Sequence, residues 1–276
     1  GLELARTGHA VLGGLGELPV PSFAFVNGPA LGGGLEVALN CTYRTFSAAA
    51  TGIGLPECSL GLVPGWGGAY LLPRLIGVRN ALDVIIRNPL SQNRTINAEQ
   101  ALQLGLADAV LDSADFLERS IAWAADVLSG RTEVRRAPVD LDDEAAWTAA
   151  LEQARAFVDG KVHRAAPAPY RALDLVAGAR TRSREQAFQA EDEALADLCV
   201  SDELRAGLYS FQLVNKRARR PAGAPDPGLA RPVTSVGVVG AGLMATQLAL
   251  VFARRLQVPV VMTDLDQARV DAGVAR

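Results

Sequence analysis

The first part of the chain alternates between short apolar runs, typical of buried strands, and stretches whose apolar residues recur with helical spacing. Strand-like runs occur at residues 19–26, 43–48 and 107–111. Residues 1–18 are expected to form part of a helix followed by a glycine-rich turn. Further helical patterns occur at residues 32–39, 65–86 and 95–104. The pattern predicts an α/β fold for this part of the chain.

Residues 113–220 carry mainly helical patterns, and we expect them to form a helical connector. The predicted helices cover residues 115–128, 143–158, 183–199 and 202–217. In the second of these, apolar residues from Trp147 through Ala154 to Val158 recur on one face. The third opens with Ser183 and Gln186 at the spacing of a capping box.

Residues 221–232 differ in composition from the rest, with four prolines and two glycines, and are predicted to be a linker. Beyond them, residues 235–239 and 258–262 have the pattern of buried strands and enclose a helix that ends near residue 255. This order is that of the first βαβ unit of a dinucleotide-binding domain.

Composition narrows the class of protein. The chain has 276 residues, of which 49% are hydrophobic and 21% charged, so it can bury a core and is not disordered as a whole. A net charge of −3 argues against a nucleic-acid partner. Three widely spaced cysteines predict a reducing, cytoplasmic location. The sequence has neither a signal-peptide pattern nor a membrane-spanning run, and because it does not begin with Met we expect it to begin inside a longer protein.

The first candidate site combines glycines at a helix start with two glutamates. Residues 32–34 are all glycine, Glu36 follows one turn into the predicted helix, and Glu57 follows Pro56 in a loop-like segment. Free N–H groups at a helix start can stabilise a developing oxyanion, and two carboxylates can divide acid and base roles. The residues alone equally allow a structural turn with two surface charges.

Several motifs occur in the order found in the enoyl-CoA hydratase (crotonase) superfamily, which this region resembles. They are the segments at residues 27–36, 53–57, 60–68, 72–77 and 98–107. The resemblance implies a crotonase-like ββα spiral over residues 1–112. It also implies that the Gly33 N–H binds the thioester oxygen of an acyl-CoA, that Glu36 activates water, and that Glu57 protonates Cα of a trans-2-enoyl-CoA.

Two features depart from this family's pattern. The separation of Glu36 and Glu57 is 57 − 36 = 21 residues, which is one more than the family's usual spacing, and we assign the extra residue to the loop at 47–52. In addition, the family has an N-terminal part that supplies a second oxyanion donor and much of the CoA pocket. That part has no counterpart in these residues, so we expect a partial crotonase fold.

Other chemically active side chains have no motif partner. Trp66 is interpreted as a core aromatic rather than a wall of the acyl pocket, and His9 and His163 as surface histidines. Cys41 and Cys58 are interpreted as buried small residues rather than nucleophiles. No spacing typical of a metal site is present, and no metal is expected.

The second candidate site is a dinucleotide fingerprint that follows a predicted strand and opens a helix. Gly240 would permit the turn, Gly242 the approach of a pyrophosphate, and Ala245 close helix–strand packing. Asp264 ends the next strand, 264 − 240 = 24 residues on, and would accept the ribose hydroxyls of NAD. A structural turn is the less favoured alternative.

Residues 236–244 also resemble the start of 3-hydroxyacyl-CoA dehydrogenases, and residues 233–276 would then be a truncated Rossmann domain without that family's catalytic His and Glu. A hydratase followed by this dehydrogenase is the layout of the multifunctional enzymes of fatty-acid β-oxidation. That resemblance implies a homo- or hetero-oligomer and leaves a thiolase subunit as a candidate partner. The alternatives are an isomerase, an acyl-CoA hydrolase, or a non-catalytic CoA- or NAD-binding piece.

Overall fold

The computed structural model describes residues 1–218 and 223–275, which divide into two compact units, Gly1–Ala218 and Arg219–Arg276. The first two residues of the predicted linker, Pro221 and Ala222, and the chain end at Arg276 lie outside the described residues. The predicted domain limits at residues 112, 220 and 232 stay predictions.

The first half of the large unit is a mixed α/β region. Its strands are β1 (Phe23–Val26), β2 (Ala30–Leu31), β3 (Tyr43–Ser47), β4 (Ile53–Gly54) and β5 (Ala109–Leu111). Its helices are α1 (Leu2–Glu17), α2 (Gly33–Asn40), α3 (Glu57–Leu60), α4 (Gly68–Ile76), α5 (Val78–Leu82), extended by a π-helical turn at Asp83–Arg87, and α6 (Ala98–Gln103). β1, β3 and β5 form a parallel sheet in the order β1-β3-β5, and β2 pairs in parallel with β4.

The second half of the large unit is helical, as its apolar periodicity predicts. It contains α7 (Phe116–Leu128), α8 (Glu144–Val162), α9 (Ala168–Gly178), α10 (Arg184–Cys199) and α11 (Asp202–Gln212), which continues as a π-helical turn at Leu213–Ala218. On α8 the predicted face is buried, with Trp147 3% and Val158 0% exposed. The capping box at Ser183 is present, since Ser183 and Gln186 each accept the other's backbone N–H.

Two helices differ from the sequence expectation for physical reasons. α1 continues through the predicted glycine turn because its glycines pack closely; a Cβ on Gly16 would stand 3.1 Å from the carbonyl oxygen of Asn40. α9 is not predicted, because Pro167 and Pro169 resemble loop residues. Both prolines lie at the helix start, where proline is tolerated, and Leu173 on this helix is buried.

Within the residues described, the small unit contains a short 3-10 helix (Pro227–Leu229), a βαβ unit and one more helix. It contains β6 (Val236–Val239), α12 (Leu243–Leu256), β7 (Val260–Thr263) and α13 (Gln267–Val274). β6 and β7 pair in parallel over four residues each. A parallel pair with a helical crossover matches the predicted start of a Rossmann fold.

Candidate active site

Glu36 lies one turn into α2 on the buried face of the helix. Glu36 is only 2% exposed. Its Oε1 accepts the backbone N–H groups of Trp66 at 2.8 Å and of Gly68 at 2.9 Å. A Cβ on Gly68 would stand 2.9 Å from this oxygen, so a glycine there permits the approach. The alternative that Glu36 is an ordinary surface charge is therefore wrong.

Glu57 is the first residue of the short helix α3, and its carboxylate reaches back to the start of α2. Oε1 lies against Gly32, where a Cβ would collide with it, and the φ of +54° at this residue also favours glycine. Oε2 is buried and has no hydrogen-bond partner within the residues described. A buried oxygen without a donor favours the protonated carboxyl over the carboxylate.

Gly33 is the first residue of α2, so its N–H has no carbonyl available within the helix. Over the described part of the large unit, the N–H of Gly33 has no hydrogen-bond partner. The ring of Trp66 packs against it, since a Cβ on Gly33 would stand 2.5 Å from Cζ3. Gly32, the residue between β2 and α2, thus places the carboxylate of Glu57 beside an unpaired helix-start N–H.

Burial is the largest influence on both glutamates. It raises the pKa of Glu36 and that of Glu57, and the charge of Glu191 raises both further. The two N–H bonds from Trp66 and Gly68 act in the opposite direction on the pKa of Glu36, because they stabilise its ionised form. On Glu57 only its own backbone N–H acts in this direction among the described residues, and the pKa of Glu57 is raised to about 7, against about 8 for Glu36.

The sequence does not predict a third buried glutamate at this site. Glu191 on α10 is 1% exposed, and its Oε2 accepts the N–H of Gly67 at 2.6 Å. The sequence feature that could have indicated this burial is the position of Glu191 on the apolar face of the helix at 183–199, where Ala187 and Leu198 are both buried.

The interpretation of His9 as a surface histidine is wrong. It is 7% exposed, with Nδ1 at 2.7 Å from Asp192 Oδ1 and Nε2 at 3.1 Å from Glu191 Oε2. The contact joins α1 to α10 across more than 180 positions of sequence, so no local pattern could reveal it. Burial alone would lower the pKa of His9, but the hydrogen bonds and charges of Glu191 and Asp192 outweigh it and raise the pKa.

The other side chains interpreted from the sequence are His163, Cys41, Cys58 and Trp66. His163 is exposed, as expected, and ends α8 with a left-handed conformation. Cys41 and Cys58 are buried free thiols whose pKa values are raised by burial. Trp66 is half-buried rather than a full core residue, and it covers Gly33. Among residues 1–218 and 223–275 no cluster of side chains fits a metal ion.

In the small unit the fingerprint residues come together around the turn between β6 and α12. Gly240 has a φ of +105°, and a Cβ there would contact Ala245 at 3.9 Å. Gly242 precedes the helix, and a Cβ on it would meet open space. Asp264 accepts the N–H groups of Leu265 and Ala241, both at 2.6 Å, and these bonds lower its pKa.

Residues 5–163, more than half of the chain, match the family model described as enoyl-CoA hydratase/isomerase. The chain belongs to this family. Residues 235–276 match the model for the NAD binding domain of 3-hydroxyacyl-CoA dehydrogenase. The two matches follow each other in the order that the sequence motifs predict.

Curated relatives combine both regions in one protein. The chain is 32% identical over 280 aligned residues to the fatty acid oxidation complex subunit alpha of Shewanella loihica, and 33% identical over 269 residues to that of Idiomarina loihiensis. These alignments cover 99% and 94% of this chain but only 38% and 36% of the relatives. The chain thus spans less than two fifths of their length.

A solved structure supports the fold. The enoyl-CoA hydratase from Mycobacterium avium subsp. paratuberculosis superposes with a TM-score of 0.52 at 21% identity, over 78% of this chain and 72% of the other. At this identity the likeness concerns the fold alone. Among the helices that the structure describes, none is long and apolar enough to cross a membrane.

Proposed function

We propose that the natural protein carrying this sequence hydrates trans-2-enoyl-CoA thioesters to 3-hydroxyacyl-CoA, as a step of fatty-acid β-oxidation. The observation that carries the proposal is that two glutamates lie close together near the start of α2, so that the charge of Glu57 contributes to the raised pKa of Glu36. The Glu57 carboxyl group lies against Gly32, beside the unpaired N–H of Gly33, and Glu36 is fixed by the N–H groups of Trp66 and Gly68.

In the proposed reaction, Glu36 removes a proton from water as the water oxygen bonds to C3 of the enoyl group. The electron pair of the C2=C3 bond moves toward the thioester, whose oxygen becomes negative and is stabilised by the N–H of Gly33. Glu57 then gives its proton to C2, which completes the addition of one water molecule. The ionised form of Glu36 and the protonated form of Glu57 are the forms that these roles require.

The surroundings of Glu36 and Glu57 support this division of roles. Two backbone N–H groups donate to one oxygen of Glu36 and stabilise the ionised form that a base needs. Burial raises the pKa of Glu57, and one of its oxygens has no donor among the described residues, so both features stabilise the protonated form that an acid needs. A pair of carboxyl groups whose surroundings differ in this way can act as a base and an acid at the same pH.

We further propose that the segment 235–276 holds NAD in the natural protein, which would then oxidise the hydration product to 3-ketoacyl-CoA. Residues at the turn fit such a cofactor, since Gly240 makes the turn, Gly242 leaves open space beside the helix start, and Asp264 is an ionised acceptor. NAD supplies hydride acceptance when bound. A thiolase partner, an oligomeric state and a cytoplasmic location remain predictions.

Three other functions would use the same scaffold. Double-bond isomerisation or thioester hydrolysis would need the oxyanion N–H but a different use of the two glutamates. A non-catalytic piece that binds CoA or NAD would need neither glutamate. The hydratase is favoured because Glu36 is buried and the charge of Glu57, whose Oε2 is buried without a donor among the described residues, raises the pKa of Glu36; a binding piece would have no reason to bring two carboxyl groups together in this way.

The test is hydration of crotonyl-CoA by the natural protein and by Glu36→Gln and Glu57→Gln variants, with Glu193→Gln as a control on an exposed glutamate of α10. We expect each of the first two to lose about 10²-fold or more in turnover, and the control to keep it. Near-native turnover in Glu57→Gln would contradict its role. Products formed from 2-enoyl and 3-enoyl substrates separate hydration from isomerisation, and calorimetry with acyl-CoA and NAD separates both from an inert piece.

A further inference from the structure

Three consecutive backbone N–H groups lie between two buried carboxylates. Trp66 and Gly68 donate to Glu36 Oε1 at 2.8 and 2.9 Å, whereas Gly67, between them, donates to Glu191 Oε2 at 2.6 Å. Gly67 has a φ of +103°, a conformation that strongly favours glycine. The loop that fixes Glu36 is therefore itself fixed, through the intervening residue, by Glu191.

Glu191 is in turn fixed by groups from two helices. Its Oε2 also lies 3.1 Å from Nε2 of His9, whose Nδ1 contacts Asp192 at 2.7 Å. The imidazole stacks on Phe188 with a centroid distance of 4.1 Å. His9 comes from α1 and Glu191 from α10, so one oxygen atom joins both helices to the Gly67 N–H.

The ionisable groups that face one another here are four acids and one base. Glu36 comes from α2, Glu57 from α3, Glu191 and Asp192 from α10, and His9 from α1. His9 is the basic side chain paired with the acids of α10, and their hydrogen bonds and charges favour its protonated form although burial opposes it. The charge of Glu191 also raises the pKa values of Glu36 and Glu57, after the larger effect of burial. Burial raises the pKa of Glu191 itself, whereas the hydrogen bond and charge of His9 and the Gly67 N–H act to lower it.

We propose that Glu191, held by His9, is a positioning residue for hydration: it holds the Gly67 N–H so that the Trp66 and Gly68 N–H groups stay on Glu36. The role rests on the proposed function of Glu36 as the base. It differs from simple attachment of α10 to the loop, because it makes the geometry and the ionisation of Glu36 depend on a side chain that contacts no reacting atom.

The experiment compares Glu191→Ala and Glu191→Gln in the natural protein, with Glu193→Ala on the exposed face of the same helix as control. Gln keeps an oxygen that can accept from both His9 and Gly67, but it removes the charge. We expect Glu191→Ala to lose about 10- to 100-fold in kcat for crotonyl-CoA with little change in KM, and Glu191→Gln to recover most of that loss. Glu191→Gln should move the acidic limb of the pH–rate profile to lower pH, since the pKa of Glu36 falls when the neighbouring charge is removed. In Glu191→Ala the weakened N–H bonds from Trp66 and Gly68 act in the opposite direction and should reduce this shift.

A second readout does not depend on turnover. Amide hydrogen exchange across residues 65–68 should quicken in Glu191→Ala and stay as in the unmodified protein in Glu193→Ala, with equal thermal midpoints checked first. Unchanged exchange in Glu191→Ala, or an unmoved acidic limb in Glu191→Gln, would overturn the positioning role. If the unmodified protein does not hydrate crotonyl-CoA, the proposed function fails, and the exchange measurement still decides whether Glu191 holds the loop.

Discussion

The carboxylate of Glu57 rests directly against the backbone of Gly32, with no room between them for a Cβ atom. Gly32 has a φ of +54° and immediately precedes α2, so it also sets the direction of the Gly33 N–H. A single glycine therefore meets two needs, a backbone conformation that other residues rarely adopt and the approach of an acid to a helix start.

Gly32→Ala should destabilise the protein because it adds both strain and a collision with Glu57. We expect a loss of about 1–3 kcal/mol in the free energy of unfolding, measured by urea denaturation. Gly34→Ala is the matched control, because a Cβ there meets nothing within 4 Å and alanine favours the helix. Equal stability of the two variants would contradict the strained geometry at Gly32.

The sequence predicts the local half of the site and misses the distant half. Gly33 and Glu36 lie within a few residues of one another, so the glycine run and the helical period place them together. Glu191 and His9 reach the same loop from helices far apart in sequence, and their contact depends on how α1 packs on α10. Only the acid on an otherwise apolar helix face could have indicated a buried role for Glu191.

The fold divides in the same way. The sequence predicts the periodic helix α8 and the capped start of α10 at Ser183 from local patterns alone, and the structure contains both. The π-helical turn at Asp83–Arg87 and the passage of α1 through Gly16 do not follow from local patterns, because tertiary contacts outweigh intrinsic helix propensity there. The parallel order β1-β3-β5 also depends on contacts between residues far apart in sequence.

Stability should fall as pH rises above the usual glutamate pKa of 4.5, because folding raises the pKa of Glu36. In this range the folded state keeps a proton that the unfolded state has released, so the free energy of unfolding decreases with pH. His9, whose pKa is also raised, adds to the trend above the usual histidine value of 6.5.

The check is urea denaturation of the unmodified protein and of Glu36→Gln at about pH 5 and about pH 8. The variant cannot ionise at this position, so it should gain stability relative to the unmodified protein at the higher pH. Glu193→Gln, at an exposed position, should show the same change in the free energy of unfolding between the two pH values as the unmodified protein. A constant difference between Glu36→Gln and the unmodified protein at both pH values would show that Glu36 keeps an ordinary pKa.

Asp108 should be the most sensitive acid outside the candidate site. Its buried side chain accepts the backbone N–H of Arg44 at 2.8 Å and both Nε and Nη2 of Arg136, and it lies 3.8 Å from the Arg44 guanidinium. Asp108→Asn leaves Arg44, only 2% exposed, without its counter-charge, and should cost about 3–5 kcal/mol. Asp112→Asn, at an exposed position just after β5, should change stability by less than about 0.5 kcal/mol. Equal, small losses in thermal unfolding would mean that Arg136 and water compensate Arg44.

Asp264→Asn tests the proposed dinucleotide site in the small unit. Asparagine can still accept the N–H of Ala241, so the turn should persist. It removes the charge and one of two oxygens that each already accept a backbone N–H, so fewer lone pairs remain for ribose hydroxyls. We expect the Kd of NAD, measured by calorimetry on the natural protein, to rise at least about tenfold. Asp271→Asn, at an exposed position of α13, is the control and should bind NAD as the unmodified protein does. If both variants bind equally well, Asp264 serves only to hold the turn between β6 and α12, and ribose recognition lies elsewhere.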